Sequence, residues 1–256
     1  MFLLLLILVY FASASSANSV SCKDERGNSV DWFIAYKLPA SFKYVYLSPD
    51  LDDWKLSNKS VTSDGAMFHT YEAMFKLKNS DSAMYGMYND EVPGNETRAN
   101  GSSWGHMKGA LAFDQLSGLW VIHSIPKLSE DMNHYRYPSS GKTYGQHVLC
   151  ITLNSSYLQP VGRTKTLNNF YMVNIIGISL FVSTLQFLVE QLSTAKPQFF
   201  SSYISNDWKT RYPDILALFQ GGHLTRVNNR THSFETLNGR LQMRHFSKST
   251  HFNNGE

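Results

Sequence analysis

Short segments rich in β-branched and aromatic residues recur between residues 30 and 153, and turn signals separate them. Such segments are typical of β-strands. We predict strands at 30–36, 43–47, 83–89, 110–114, 119–124 and 147–153. Residues 115–118 are predicted to close a hairpin, with Gly118 in the left-handed position. The chain is therefore expected to fold around a β-sheet.

Two further segments allow more than one structure. The apolar residues of 66–78 fit neither the helical nor the strand period, so both structures are open. Residues 170–189 carry no charge and are long enough to cross a membrane. Polar residues in and just after this segment recur at spacings of three and four, which favours a packed amphipathic helix. A membrane span and a mispredicted exon are the alternatives.

The N-terminus has the features of a secretory signal peptide. Residues 1–17 carry no charged side chain, are apolar from 2 to 12 and close with two small-x-small cleavage sequences. Two cysteines follow, Cys22 and Cys150, and an even pair in an oxidising compartment predicts one disulfide. Five Asn-x-Ser/Thr sequons are glycosylation candidates, at Asn58, Asn95, Asn100, Asn154 and Asn229. The sequence thus predicts a protein of the secretory pathway.

Length and charge set wide bounds. The 256 residues suit one large domain or two small ones after the signal peptide. The net charge is +3 with neutral histidines, and the nine histidines would add positive charge in an acidic, lysosome-like compartment. That change suits a polyanionic partner. Surface histidines titrate in every protein, however, so the charge alone identifies no partner.

The motif Gly105-His106-Met107-Lys108-Gly109 carries the chemistry. At the end of a strand, side-chain alternation would put His106 and Lys108 on one face, where a single phosphate could meet both. An imidazole can attack phosphorus or transfer a proton, and an ammonium can hold phosphate oxygens. The flanking glycines would let a ligand approach the backbone. Because a single His-x-Lys also arises by chance, a solvated pair on an exposed strand is the alternative.

Several stretches share their order and spacing with one known family. They are Val30-Asp31-Trp32-Phe33 continuing to Tyr36-Lys37-Leu38-Pro39, Tyr88-Asn89-Asp90, the His106 motif, Trp120-Val121-Ile122-His123-Ser124-Ile125-Pro126, and Tyr144-Gly145-Gln146 leading into Leu149-Cys150. Weaker similarity follows at Tyr212-Pro213-Asp214, at Asn229 and at His245-Phe246-Ser247-Lys248. As a set, these stretches resemble deoxyribonuclease II.

The resemblance implies an α/β (α+β) fold, a phospholipase D-like sandwich of a mixed β-sheet flanked by helices. Proteins of this kind have two halves, and each half gives one His-x-Lys motif to a shared site. On that template, residues 18–160 are the N-terminal half with the motif. Residues 161–256 are an incomplete C-terminal half that includes the apolar segment 170–189. The second half of the fold is therefore expected to be truncated.

The resemblance also implies an activity. Deoxyribonuclease II enzymes are secreted or lysosomal acid endonucleases that hydrolyse DNA phosphodiesters without a metal or other cofactor, leaving 3′-phosphates. His106 would be either the nucleophile or the general acid and base, and Lys108 would bind phosphate oxygens. Cys22 and Cys150 match cysteines that form a disulfide in the family.

The chain departs from the family pattern because it has no second His-x-Lys. His245 and Lys248 are three residues apart, so on a strand they would face opposite sides. Three explanations are open: a truncated gene model, a paralogue that has lost catalysis, or a homodimer that supplies two copies of the motif across a two-fold axis.

Other residues are candidates for substrate contacts. His123 and Lys127, at the end of the strand after the motif, are substrate-binding candidates, with an ordinary exposed strand end as the alternative. Tyr137, Tyr144 and Trp104 could stack on bases or anchor the core and loops. Lys142, Arg163 and Lys165 could contact the DNA backbone. No ligand spacing for a metal site is present in the sequence.

The sequence therefore predicts a deoxyribonuclease II-like phosphodiesterase acting on DNA. The alternative is a catalytically silent secreted paralogue that binds DNA or another partner. A membrane-tethered glycoprotein is a third, less favoured class.

Overall fold

The computed structural model describes residues 19–94, 104–129, 133–155, 187–222 and 231–247. Its strands are β1 (Cys22–Lys23), β2 (Ser29–Val30), β3 (Trp32–Lys37), β4 (Tyr44–Leu47), β5 (Lys55–Leu56), β6 (Met84–Asn89), β7 (Lys108–Phe113), β8 (Ser117–His123), β9 (Gln146–Asn154), β10 (Phe199–Ile204), β11 (Thr231–Glu235) and β12 (Gln242–Phe246). Its helices are α1 (Ala66–Phe75), α2 (Phe187–Ala195), α3 (Asn206–Arg211) and α4 (Pro213–Phe219), with a short 3-10 helix at Ser139–Lys142. Each of the six predicted strands is present.

Eight strands form one sheet in the order β10-β6-β7-β8-β9-β3-β4-β5. The predicted sandwich of a sheet with flanking helices is confirmed. Every strand pairing in this sheet is antiparallel, so the mixed sheet that the resemblance implies is not found within the described residues. Tight connections such as the one between β7 and β8 reverse the chain, which makes the strands they join antiparallel.

The turn between β7 and β8 differs in detail from its prediction. Gly118 lies inside β8, opposite Phe113, and is not in the left-handed position. Asp114 closes the turn instead, because its carboxylate accepts the backbone N–H groups of Leu116 and Ser117 at 2.8 and 2.9 Å. A carboxylate that accepts backbone N–H groups just after it is a common way to stabilise a turn.

One face of the sheet packs on α1, which resolves the ambiguity at 66–78 in favour of a helix. The buried residues of α1 include Thr70, Tyr71 and Met74. Residues three or four positions apart lie on the same face of a helix, so Met74 shares a face with Tyr71 and Thr70. They lie against a core that contains Ala110 and Val121 from the central strands. Tertiary packing thus selects the helix where the sequence pattern is mixed.

The other face of the sheet packs on α2, α3 and α4. Leu192, Trp208 and Ile215 from these helices share a core with Trp120 and Leu111 of the sheet. Strand β10 pairs with β6, so residues on both sides of position 160 contribute to the same sheet. The predicted division of the chain at that position stays a prediction.

Two contacts connect distant parts of the chain. Cys22 and Cys150 form a disulfide with a Cα–Cα distance of 5.9 Å, which is the pairing that the resemblance implies. The buried carboxylate of Asp31 accepts a hydrogen bond from the Thr236 hydroxyl and another from the Asn238 backbone N–H at 2.9 Å. The second contact attaches the β11–β12 hairpin to the main sheet.

Several predicted features lie outside the described residues. They are the signal peptide at 1–17, the sequons at Asn95, Asn100 and Asn229, the basic residues Arg163 and Lys165, and all but the last three residues of the segment 170–189. The sequon residues Asn58 and Asn154 are exposed, as a glycosylation site requires. Among the described helices, none has the length and apolar character needed to cross a membrane.

Candidate active site

Polar side chains are concentrated at one end of the sheet. Strands β6 and β8 end there, and β7 and β9 begin there, because neighbouring strands are antiparallel. Asn89, Lys108 and His123 are aligned across three strands, since Asn89 pairs with Lys108 and Lys108 pairs with His123. Side chains alternate between the two faces of a strand, so Lys108 and Ala110 of β7 point to the same face. Ala110 belongs to the core that packs on α1, so Lys108 and its partners on the neighbouring strands lie on that face too. Paired residues on neighbouring strands lie within contact distance of each other.

His106 and Lys108 are brought together by a residue that the sequence prediction did not include. The carboxylate of Asp90 forms an ion pair with His106 through Oδ2 and with Lys108 through Oδ1. The Lys108 side chain is only 6% exposed, whereas the imidazole of His106 is 82% exposed. The site therefore consists of an exposed imidazole and a buried ammonium held by one carboxylate.

Asp90 also determines which imidazole nitrogen faces a ligand. Its contact is with His106 Nδ1, so Nε2 is the nitrogen available for chemistry. A carboxylate on one ring nitrogen fixes the tautomer and the ring orientation, and stabilises the imidazolium if the ring gains a proton. Two sequence signals concern Asp90: it ends the family-like stretch Tyr88-Asn89-Asp90, and it lies in the predicted turn before Pro93.

His123 is a buried neutral imidazole. Its Nδ1 accepts a hydrogen bond from the Ile125 backbone N–H at 3.1 Å, which places the ring proton on Nε2. Burial, the neighbouring Lys108 ammonium and His147 lower the pKa of His123 to about 3. In an acidic compartment this residue therefore offers a hydrogen-bond donor rather than a positive charge. Histidines are expected from the sequence to become protonated there, and His123 is an exception.

Asn89 fixes the loop that follows β8. Its side-chain amide donates to the Ile125 carbonyl at 3.1 Å, and its Oδ1 accepts the Glu91 backbone N–H at 2.9 Å. Lys127 joins the same arrangement through its backbone, which donates to the Glu91 carbonyl at 3.1 Å. The candidate Lys127 thus lies near the site, and its backbone has a positive φ of 56°.

The motif glycines allow other parts of the chain, rather than a ligand, to approach the backbone closely. A Cβ added to Gly109 would lie 2.3 Å from the Tyr88 hydroxyl and 2.4 Å from the Val121 carbonyl oxygen. A Cβ on Gly105 would lie 1.9 Å from the carbonyl oxygen of Ala195, at the end of α2. The motif glycines therefore set how closely the motif packs against its neighbours.

The aromatic and basic candidates have different environments. Tyr137 is buried in the core, and Trp104 is half-buried next to Gly221. Tyr144, by contrast, is 74% exposed. Lys142 is exposed and its ammonium lies 5.8 Å from the centre of the Phe42 ring.

The remaining motif candidates do not join the site. His245 contacts Trp120 and Gln191 in the core on the opposite face of the sheet, and Lys248 lies outside the described residues. Within the described ranges, no group of three His, Cys, Asp or Glu side chains is placed to hold a metal ion.

Comparison with known proteins identifies the family. The family model described as Deoxyribonuclease II matches residues 21–255. Deoxyribonuclease-2-beta of Mus musculus is 35% identical over 169 residues, which are 61% of this chain and 47% of that protein. Cell death-related nuclease 6 of Caenorhabditis elegans is 34% identical over 172 residues, covering 62% of this chain and 44% of that protein. Plancitoxin-1 of Acanthaster planci is 35% identical over 166 residues, covering 60% of this chain and 46% of that protein.

The chain spans about half the length of the curated relatives that it matches. The family match nevertheless includes the whole of the described structure except its first two residues. It also includes Lys108 at the start of β7, His106 and Asp90 just outside the strands, and both cysteines of the disulfide. The chain therefore belongs to the deoxyribonuclease II family.

Proposed function

We propose that this protein hydrolyses DNA phosphodiesters in an acidic compartment of the secretory pathway or outside the cell. The reaction needs no metal ion and leaves 3′-phosphate products. The observation that supports this proposal most is the joint contact of Asp90 with His106 and Lys108. It combines an oriented imidazole, which can act as nucleophile or acid, with a fixed positive charge, which can stabilise a phosphoryl group during transfer.

The exposed Nε2 of His106 is the reactive atom. In one version, Nε2 forms a bond to phosphorus while the bond to the 5′ oxygen breaks, and that oxygen takes a proton. Water then attacks the phosphohistidine, releases the 3′-phosphate and restores the imidazole. In the other version, the His106 imidazole of a second copy of the chain forms the bond to phosphorus while the bond to the 5′ oxygen breaks, and this His106 protonates that oxygen. The same His106 then removes a proton from the water that hydrolyses the phosphohistidine and releases the 3′-phosphate. Asp90 supports either version through its contact with Nδ1.

The buried residues beside His106 bind the phosphate. Lys108 places a positive charge against the non-bridging oxygens, and His123 donates a hydrogen bond from Nε2 because its Nδ1 is occupied. Lys127 adds charge on the loop after β8. A charge in a site with little water acts more strongly than the same charge on the surface.

A second acid or base is needed, and a second copy of the chain can supply it. In this version of the proposal, a two-fold axis brings together two sets of His106 and Lys108. Such an interface is isologous, so one phosphate would lie between identical groups. A strictly monomeric protein that cuts DNA would contradict this part of the proposal.

The alternative is a secreted paralogue without catalysis that binds DNA. It is favoured by the single His-x-Lys motif in the sequence. The two functions are distinguished by assaying cleavage and binding on the same preparation.

The deciding experiment measures cleavage of double-stranded DNA at about pH 5 in the presence of EDTA. We expect cutting by the parent protein, fragments with 3′-phosphates, and loss of cutting in His106→Ala. Because the His106 side chain is 82% exposed, this variant should keep its melting temperature. His134→Ala, at another exposed histidine, is the matched control and should remain active. DNA binding without cutting by the parent protein would support the alternative.

A further inference from the structure

Tyr144 is an exposed aromatic residue at the same end of the sheet as the candidate site. It is 74% exposed, whereas most aromatic residues in the core clusters are buried. It precedes Gly145 and the first residue of β9, Gln146. Single exposed aromatic residues are common on protein surfaces, so the significance of Tyr144 depends on its neighbours and on its position relative to the site.

Two hydrogen bonds fix the backbone just before Tyr144. The Lys37 ammonium donates to the Lys142 carbonyl at 2.8 Å, and the Ala40 backbone N–H donates to the Thr143 carbonyl at 3.0 Å. The Lys37 side chain is among the largest fully buried ones. Burying an ammonium group carries a free-energy cost, which its hydrogen bond to the loop carbonyl partly offsets. The loop is thereby positioned before any ligand arrives, which lowers the entropy lost on binding.

One neighbour extends the surface around Tyr144. Lys142 is exposed two residues before Tyr144, and its ammonium lies over the Phe42 ring, which packs against the core on the α1 face of the sheet. The Tyr36 hydroxyl also lies over Gly145, but Tyr36 pairs with His147 and therefore lies on the opposite face of the sheet from Lys108. An aromatic ring beside a positive charge suits a nucleic-acid strand, because a base stacks on the ring and the phosphate meets the ammonium.

This surface lies at the same end of the sheet as Lys108. Strand β9 is two strands away from β7, which corresponds to about 10 Å at the usual strand spacing. Tyr144 is two residues before the start of β9, on the side where β7 begins and β8 ends. It is four residues from Val148, which pairs with His123, so about 13 Å along the strand direction adds to the lateral distance. A DNA strand with one phosphate at Lys108 can therefore reach the ring of Tyr144 with a base a few nucleotides away.

We propose that Tyr144, with Lys142 beside it, forms a subsite that stacks an unpaired base of the DNA strand whose phosphate occupies the Lys108 site. This inference rests on the proposed function. It adds a preference for DNA with accessible bases, such as single strands, ends and locally opened duplexes. Stacking does not read sequence, so the subsite accepts any base.

The test measures binding of two probes in the His106→Ala background, which prevents cutting. One probe is a short single-stranded oligodeoxynucleotide, and the other is an abasic deoxyribose-phosphate oligomer of the same length and charge. Tyr144→Ala should raise the Kd for the first probe about tenfold, the usual scale for one stacked base, and leave the Kd for the abasic probe unchanged. Tyr144→Phe should bind as the parent does.

Phe246→Ala removes another exposed aromatic ring, on the β11–β12 hairpin, and is the matched control. We expect it to change neither Kd. Equal weakening on both probes, or no weakening, would overturn the stacking subsite. Cleavage of double-stranded DNA by the parent protein is measured separately, so loss of the subsite leaves the proposed hydrolysis standing. A protein that cuts double-stranded DNA but binds neither probe would overturn the subsite alone, and one that neither binds nor cuts DNA would overturn both proposals.

Discussion

Lys108 and His123 face each other across β7 and β8, and both side chains are buried at the same end of the sheet. The neighbouring ammonium opposes protonation of the imidazole, and burial opposes it more strongly. The pair therefore combines one permanent charge with one neutral hydrogen-bond donor. This relationship makes the stability of the protein depend on pH, while Asp90 is the single carboxylate that contacts both members of the motif.

The unfolding free energy should fall between pH 7 and pH 5 because of His123. The pKa of His123 is about 3 in the folded protein and about 6.5 in the unfolded chain. Below the higher of these values the unfolded chain binds a proton that the folded protein does not, so acid favours unfolding. The expected loss at pH 5 is about 2 kcal/mol.

Urea unfolding at the two pH values checks this prediction in the parent and in His123→Asn. The asparagine can still accept the Ile125 N–H but cannot titrate, so its stability should depend less on pH. His134→Asn, at an exposed position, is the control for loss of an imidazole. An identical pH slope in the parent and His123→Asn would contradict the prediction.

Asp90→Asn should reduce DNA cleavage by at least about 10²-fold. The amide cannot stabilise the imidazolium of His106, and it leaves the buried Lys108 without a counter-charge. The second effect should also lower the unfolding free energy by about 3 kcal/mol. Cleavage rates and urea unfolding measure the two effects separately.

The control for this variant is Asp207→Asn. Asp207 pairs with Arg211 at 3.1 Å, but both side chains are about half exposed, so little change is expected. If Asp90→Asn cleaves DNA at the parent rate, the assigned role of this carboxylate is wrong.

Removal of the disulfide should cost about 5 kcal/mol of stability. Cys22 and Cys150 are 128 positions apart, and cross-linking so long a loop strongly restricts the unfolded chain. A Cys22→Ala, Cys150→Ala double variant tests this by urea unfolding, with the reduced parent protein as the comparison. A loss below about 1 kcal/mol would show that the unfolded chain is already compact.

Thr236→Val should loosen the β11–β12 hairpin. It removes one donor from the buried Asp31 carboxylate, and an unsatisfied buried acceptor costs about 1–3 kcal/mol. Thr236→Ser keeps the hydroxyl and should be close to the parent in melting temperature. Hydrogen exchange of the hairpin amides would show whether the loss is local, and unchanged exchange in Thr236→Val would contradict the prediction.

The strands could be predicted because each depends mainly on nearby residues. The alternating and β-branched segments that became β6 and β9 give a strong local signal. The pattern at 66–78 gives no such signal, and α1 forms because its Tyr71 and Met74 face the sheet. Gly118 was assigned to the turn by residue type alone, yet Asp114 closes that turn through its carboxylate.

The sequence by itself determined which groups are available. It supplied one His-x-Lys motif, a single pair of cysteines, and strands long enough for a sheet. Tertiary structure decided which of those groups act together. The register of β6, β7 and β8 places His123 opposite Lys108, and the turn after β6 brings Asp90 to both members of the motif. The register of β7 and β8 follows from the short turn between them, whereas the pairing of β6 with β7 joins strands separated by a longer segment, so no local pattern contains it.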